Sequence, residues 1–350
     1  MKRLLMLMFV LMLAIFTAAC GGKESGEQNH NTNDGGEAAK ESGYQGKSYE
    51  WKIGFNTPEE SVRGIAAKKF KEVVEEKTGG KVTVDLFAAE VLGSEQEMLE
   101  QVASGALDMQ LAGGSGMQNI IPEYAVLALP FMVENYEEAY NVLDGEIGEE
   151  LKEKAVAAGY KVIAHTDLGF GQITNSKQPV KTPNDLKGLK IRSPQEPTSI
   201  ETFKQLGSSV TTMAFTEVYM GLQQNVIDGQ FNPLDAIYEN NFHEVQKYLT
   251  LTNHFYYHVN FIMNHALFES LDPELQQIVL EAGEAAQKAS RQYTQEKGEE
   301  MLDVLAENLE IEKEPDLEAF RSKINYKSFS EFVGSEFLEK TRKFIEENRK

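Results

Sequence analysis

The sequence predicts an α/β protein built on parallel strands with crossover helices. Between Trp51 and Ala112, strand-like and helix-like segments alternate in the order β-α-β-α-β, which favours a parallel sheet. A similar alternation recurs between Tyr160 and Pro233. The chain has 350 residues, is 41% hydrophobic and 25% charged, and is long enough for two domains with ordinary cores.

The first twenty residues stand apart from the fold. Lys2 and Arg3 precede an apolar run of thirteen residues, Leu4 to Phe16, too short for a comfortable membrane span. Thr17-Ala18-Ala19-Cys20 follows and holds the only cysteine, which cannot form an internal disulfide. The segment resembles the lipobox of bacterial lipoproteins, in which the cysteine becomes an acylated N-terminus; leucine is commoner where Thr17 stands. The alternative is an ordinary signal peptide with an incidental cysteine. Residues 1–20 are thus expected to be a lipoprotein signal peptide and lipobox, with Cys20 the lipidation site. Residues 21–47, rich in Gly, Ser, Asn, Glu and Lys, are expected to be a flexible tether. Lipid and tether together would hold a globular body at the outer face of a membrane. No later segment has eighteen consecutive apolar residues.

The folded part opens with a strand at Trp51–Asn56. Thr57-Pro58-Glu59-Glu60 reads as a helix start, with threonine as N-cap, and Val62, Ile65, Ala66, Phe70, Val73 and Val74 form one face. A strand is expected at Val82–Phe87. Ser94 and Glu97 form a capping box, and the helix they open stops near Gly105. Leu107–Ala112 is the next strand. Further on, strands are expected at Tyr160–His165 and Leu189–Arg192, and helices after Thr182 and over Pro197–Leu206. Thr216 reads as the cap of a helix carrying Val218, Tyr219 and Leu222, and Pro233 starts another. Residues 255–263, FYYHVNFIM, read as a strand. From Pro273 a helix of more than twenty residues is expected, long enough to brace two domains.

The net charge of -21 excludes nucleic acid as a natural partner and otherwise suits solubility. Enzyme motifs are missing. GGSGM at 113–117 resembles a nucleophile elbow, but Met117 stands where the last glycine is needed. TGGKV at 78–82 lacks the upstream glycine of a phosphate loop. His254 and His258 would lie roughly 13 Å apart on a strand, which suits ordinary side-facing or surface histidines. No metal site and no cofactor is expected.

Arg192 is the only arginine between Arg63 and Arg291. It ends an apolar stretch in GLKIRSP, residues 188–194, at the carboxyl end of a parallel strand, where ligands collect in open α/β sheets. Its planar fork binds a carboxylate through two parallel hydrogen bonds, which lysine cannot do. A surface arginine or a salt bridge is the plainer reading. Asn232 precedes Pro233 at the mouth of a helix and could donate to the same carboxylate; a simple turn or cap role is its alternative.

Five stretches in order resemble the substrate-binding proteins of tripartite ATP-independent periplasmic (TRAP) transporters, the dicarboxylate- and sialic-acid-binding (DctP-like) family. They are EEKTGGKV (75–82), LGSEQEMLEQVASGALDM (92–109), LALPF (127–131), TPNDLKGLKIRSP (182–194) and AFTEVYMGLQQNVIDGQFNP (214–233). The resemblance implies a two-lobed periplasmic-binding-protein-like fold, each lobe a β-sheet flanked by helices, with hinge strands and a long bracing helix. By position, residues 48–169 plus 258–297 would form lobe I, and 170–257 plus 298–350 lobe II with the C-terminal helices. It implies that Arg192 grips the substrate carboxylate, that Asn232 assists, and that Phe215 lines the pocket. Asn56 and Gln195 match further contact positions.

The sequence departs from the sialic-acid branch, which has a glutamate and an arginine where Gly113 and Gly116 stand here, and an arginine at the substrate-binding position of Gly171. The lost side chains leave room and remove charge. No second arginine is evident for a second carboxylate. The expected ligand is therefore a hydroxylated or keto monocarboxylate, such as a sugar acid, and the expected partners are the membrane permease subunits of a TRAP transporter. A C4-dicarboxylate or sialic-acid receptor of the same family is the first alternative; a secreted enzyme acting on an anionic substrate is the other. The protein is expected to be extracytoplasmic, membrane-anchored by lipid, and not an enzyme.

Overall fold

The computed structural model describes residues 43–349. The signal peptide, the lipobox with Cys20 and most of the tether lie outside the described residues. The chain begins β1 (Tyr49–Gly54), α1 (Val62–Thr78), β2 (Val82–Phe87), α2 (Glu95–Ser104), β3 (Met109–Gly113) and the short α3 (Gly114–Met117). A 3-10 segment, Pro122–Ala128, leads to α4 (Tyr136–Asp144), α5 (Glu146–Ala157), β4 (Tyr160–Phe170) and β5 (Gln172–Asn175). Then come β6 (Lys190–Ser193), α6 (Pro197–Gln205), β7 (Ser209–Thr212), α7 (Val218–Gln223), β8 (Gly229–Asn232), α8 (Leu234–Glu239), β9 (Tyr248–Thr250) and β10 (Tyr256–Asn264). The chain ends with α9 (His265–Ser270), α10 (Pro273–Ala306), β11 (Glu310–Glu312), α11 (Leu317–Arg321), α12 (Tyr326–Val333) and α13 (Ser335–Asn348).

Local chemistry explains most boundaries. Gly79 and Gly105 take left-handed backbone, with φ of 60° and 77°, and close α1 and α2. Ser94 and Glu97 form the capping box of α2, and Thr182 and Asp185 that of the 3-10 turn Pro183–Leu186. The start of α1 differs from expectation: Ser61, not Thr57, is its N-cap. The Pro58 carbonyl accepts from both the amide and the hydroxyl of Ser61, which closes a turn ahead of the helix, and Thr57 buttresses Ser61 through a 2.7 Å hydroxyl contact. Thr216 is likewise no cap; it sits inside a 3-10 turn, Phe215–Glu217, that runs directly into α7.

Two sheets form. The first has the order β2-β1-β3-β10-β4 and the second β11-β9-β5-β8-β6-β7. As expected, β1 runs parallel to β2 and β3, and β6 parallel to β7 and β8. The sheets are not wholly parallel, however. The β10 strand is antiparallel to both β3 and β4, and β5 is antiparallel to β8 and β9. The cause is the route of the chain. It leaves the first sheet through β4, enters the second through β5, and returns through β9 into β10. Gly171 alone separates β4 from β5, and its amide donates to the Phe255 carbonyl at 2.8 Å, tying the two crossings together.

The α10 helix spans 34 residues, capped by Asp272, and packs along α1, β4 and α8. It comes so close to β4 that a Cβ on Gly283 would lie 2.9 Å from the Ile163 carbonyl oxygen. The tail divides differently from the expected second lobe. The 297/298 boundary falls inside α10, and only β11 joins the second sheet. Apolar side chains of α12 and α13, among them Phe329, Phe337 and Ile345, instead fill a core with Met98, Tyr124 and Leu143 beside the first sheet. His254 and His258 are buried rather than surface-facing, and burial pulls their pKa values down to about 3 and about 4.

Candidate ligand-binding cleft

Arg192 is the third residue of β6. Ile191 before it packs in the core, and Pro194, which has no amide to donate, ends the strand. The side chain is 3% exposed. Its Nε and Nη2 both donate to the Met213 carbonyl, at 3.2 and 2.9 Å. The guanidinium carbon lies 5.8 Å from the centre of the Phe215 ring. Burial pulls the Arg192 pKa down to about 10, opposed chiefly by the nearby carboxylate of Glu196 and also by those of Glu95 and Glu90, so the group stays cationic at neutral pH.

Arg192 lines two adjoining cavities, an outer one of about 360 Å³ and an inner one of about 60 Å³. Phe215 and Asn56 border both, Gln195 the outer and Asn232 the inner. Asn232 ends β8, and its side-chain amide donates to Gln230. Asn56 is buried and donates to Glu95 Oε2 at 3.1 Å, while its own oxygen has no partner. Gln195 is exposed at the rim, where its carbonyl accepts from Asn119 at 3.3 Å. Gly116 lines the outer cavity and Gly113 the inner one, and a Cβ on Gly116 would already touch the Glu95 carboxyl group and Leu99 at 3.4 Å.

Gly171 is not among the residues that border either cavity. It lies at the strand crossing, where a Cβ would meet the Tyr257 ring at 3.1 Å, so that ring stands against it. Its expected place in the binding site is therefore corrected to a place in the crossing.

The sequence reading missed a second guanidinium. Arg63, 5% exposed, lines the inner cavity with Arg192. It reaches the cleft from the first turn of α1. The nearest acid, Glu95 at the start of α2, is 3.7 Å from Nη2, and Arg63 Nε is buried without a partner. Glu95 also accepts from Asn56 and from the Gly113 amide. The expectation that no second arginine accompanies Arg192 does not hold. A signal existed: Arg63, Ala67, Phe70 and Val74 share one helical face, and the last three are core residues. An arginine on an apolar stripe calls for an explanation.

Contacts also cross from one sheet's elements to the other's. Thr198 on α6 donates to the Gln118 side chain at 2.8 Å, both buried. The Val62 amide at the start of α1 lies 3.3 Å from a carboxylate oxygen of Asp235 on α8. Burial, with Glu239 nearby, pushes the Asp235 pKa up to about 7. A further cavity of about 310 Å³ lies against the crossing strands and α10, and no arginine lines it.

Two sheets joined by crossing strands, with two buried guanidiniums, Arg192 and Arg63, set among glutamates and neutral polar side chains around a cleft, define a two-lobed receptor for a small anion. The family model for bacterial extracellular solute-binding protein, family 7, matches residues 53–331, and the chain belongs to this family of TRAP solute-binding proteins. It is 36% identical over 270 residues to the 2,3-diketo-L-gulonate-binding periplasmic protein of Escherichia coli (strain K12), covering 77% of this chain and 82% of that one. The galactonate complex of the sugar acid binding protein of Advenella mimigardefordensis superposes with a TM-score of 0.83 at 29% identity, covering 86% of this chain and 99% of that one. A TRAP periplasmic solute-binding protein of Sulfurospirillum deleyianum with bound succinate gives 0.80 at 29% identity, covering 85% and 99%.

Proposed function

We propose that this chain is the extracytoplasmic receptor of a TRAP transporter for a sugar acid, which it delivers to membrane permease subunits. The observation that carries this is Arg192. One edge of its fork is fixed by the Met213 carbonyl, and the group borders both cavities. A carboxylate there meets charge-assisted donors already oriented for it. Asn232, Asn56 and Gln195 offer neutral polar contacts to hydroxyl or keto groups, and Phe215 an apolar wall. The sugar acids bound by relatives support the same class; the succinate-bound relative keeps a dicarboxylate as the competing ligand.

The chain acts as a receptor and releases its ligand unchanged. It is held at the membrane by lipid on Cys20 and reaches its permease through the tether. One acyl chain anchors poorly, so two or more are attached. Cys20→Ser should move the protein from membranes to the soluble fraction; a membrane-bound Ser variant removes the lipid from this reading.

Titration calorimetry with galactonate, gluconate, glucuronate, succinate and sialic acid tests the assignment. A hydroxylated monocarboxylate should bind most tightly and be recovered unaltered. Preference for succinate or sialic acid, or conversion of the ligand to a product, overturns it.

A further inference from the structure

We infer that Arg63 is a second ligand-binding residue and that, together with Glu95, it reads hydroxyl groups of the ligand beyond the carboxylate held by Arg192. This rests on the reading of the cleft as a sugar-acid site and names what makes it selective.

A guanidinium carries five N–H donors, and burying it without partners is costly. Arg63 is 5% exposed, yet its ion pair with Glu95 at 3.7 Å is beyond hydrogen-bond reach and its Nε is buried without an acceptor. Two further buried polar atoms on residues of the same inner cavity also lack partners: Asn56 Oδ1 and His258 Nε2. Asn56 is 8% exposed and His258 1%. A guanidinium donor, an amide acceptor and a ring nitrogen thus border one space of about 60 Å³.

The mixture decides what fits. A hydroxyl both donates and accepts, so it can satisfy Asn56 Oδ1 and Arg63 together. A second carboxylate only accepts and leaves Asn56 Oδ1 bare. Charge points the same way. Glu95, held by Asn56 and the Gly113 amide, offsets the charge of Arg63, and a second carboxylate would face it across the same cavity. His258 is neutral at physiological pH and supplies no compensating charge. The arrangement therefore favours a polyhydroxylated monocarboxylate over an unsubstituted dicarboxylate.

The experiment is calorimetric titration of wild type, Arg63→Gln, Arg63→Lys, Glu95→Gln and Arg192→Gln with galactonate, gluconate, glucuronate and succinate, with melting curves to verify folding. Arg63→Gln should weaken the sugar acid that wild type binds by about ten- to a hundredfold, in the range of charged hydrogen bonds. Glu95→Gln should shift the preference towards succinate by at least about tenfold. Two arms separate the claims. If Arg192→Gln abolishes binding while Arg63→Gln stays within twofold of wild type, the Arg63 inference is wrong and the cleft reading stands. If Arg192→Gln binds normally, the cleft reading itself is wrong. Should Arg63→Gln not fold, the other variants decide: no change in the succinate preference of Glu95→Gln and unchanged sugar-acid binding by Arg63→Lys overturn the inference.

Discussion

The guanidinium of Arg192 and the backbone carbonyl of Met213 are joined by two hydrogen bonds, from Nε at 3.2 Å and Nη2 at 2.9 Å. The pair binds strand β6 to the segment after β7 and sets the plane of the fork. Lysine retains the charge but cannot make both bonds or hold a plane. Losing one partner of a buried charge pair costs on the order of 2–5 kcal/mol. At about 1.4 kcal/mol per decade, Arg192→Ala should bind the sugar acid between about 30-fold and several thousand-fold more weakly. Arg192→Lys should also bind poorly. A salt-bridging surface arginine would cost at most about 1 kcal/mol. Calorimetry distinguishes these, and a folded Arg192→Ala protein binding within a few-fold of wild type rules the clamp out.

Closure should accompany binding, because a ligand held by both lobes favours the closed state over the open one. The buried Thr198–Gln118 hydrogen bond crosses between elements of the two sheets and borders neither cavity of the cleft. Thr198→Val leaves the Gln118 oxygen without its donor, at a cost of about 1–3 kcal/mol to the arrangement in which elements of the two sheets touch. Solution scattering should show a smaller radius of gyration when wild type is saturated, and Thr198→Val should need several-fold more ligand for the same contraction. A radius that ligand leaves unchanged argues against the clamp.

Asp235 should make stability fall as pH rises. Its pKa is about 7 in the folded protein, against an ordinary value near 3.8 when unfolded. Between these values folding takes up a proton, so the stability contribution is complete below about pH 4 and is lost as pH climbs through about 7. The buried histidines act in the opposite sense, since folding releases protons from them as pH falls below 6.5. The readout must therefore be a difference. Asp235→Asn should gain stability relative to wild type as pH goes from 4 to 8, by on the order of a few kcal/mol at the top. A melting-temperature difference that stays flat across this range contradicts the assignment.

What could be read from the sequence was mostly local. The Ser94–Glu97 box and the Thr182–Asp185 box each act over three residues, and both appear in the structure. Arg192 stood out because a strand, a lone arginine and a proline are adjacent. The start of α1 was misplaced because Thr57 and Ser61 are both competent caps, and a turn closed by the Pro58 carbonyl chooses between them. Arg63 and Glu95 escaped notice for a different reason. They lie on separate helices, and only the packing of α1 and α2 beside the first sheet brings them to one cavity. The antiparallel pairing of β10 with β4 is also non-local: Tyr256 meets Phe170 across 85 residues of intervening sequence, a register that periodicity cannot supply.

Two glycines should respond to alanine with opposite signs. Gly229 opens β8, three residues before Asn232, and pairs with Asn175 of β5. A Cβ there would lie 2.3 Å from the Thr174 carbonyl oxygen and 2.8 Å from Asn175 Cβ. Backbone cannot yield as a flexible side-chain tip can, so β8 must move away from β5. Overpacking of this kind costs about 1–3 kcal/mol. The displacement would carry to Asn232, so Gly229→Ala should lower both the melting temperature and the affinity for the sugar acid. Gly298 lies inside the helical span of α10, and a Cβ there meets nothing within 4 Å. Alanine in a helix interior is favoured over glycine by about 0.5–1 kcal/mol, so Gly298→Ala should raise the melting temperature. It should leave ligand affinity unchanged, because Gly298 borders neither cavity of the cleft. Thermal melts and calorimetry on the pair suffice. A neutral Gly229→Ala would mean that β8 has more room beside β5 than these distances allow, and that Asn232 is not held in place by that strand.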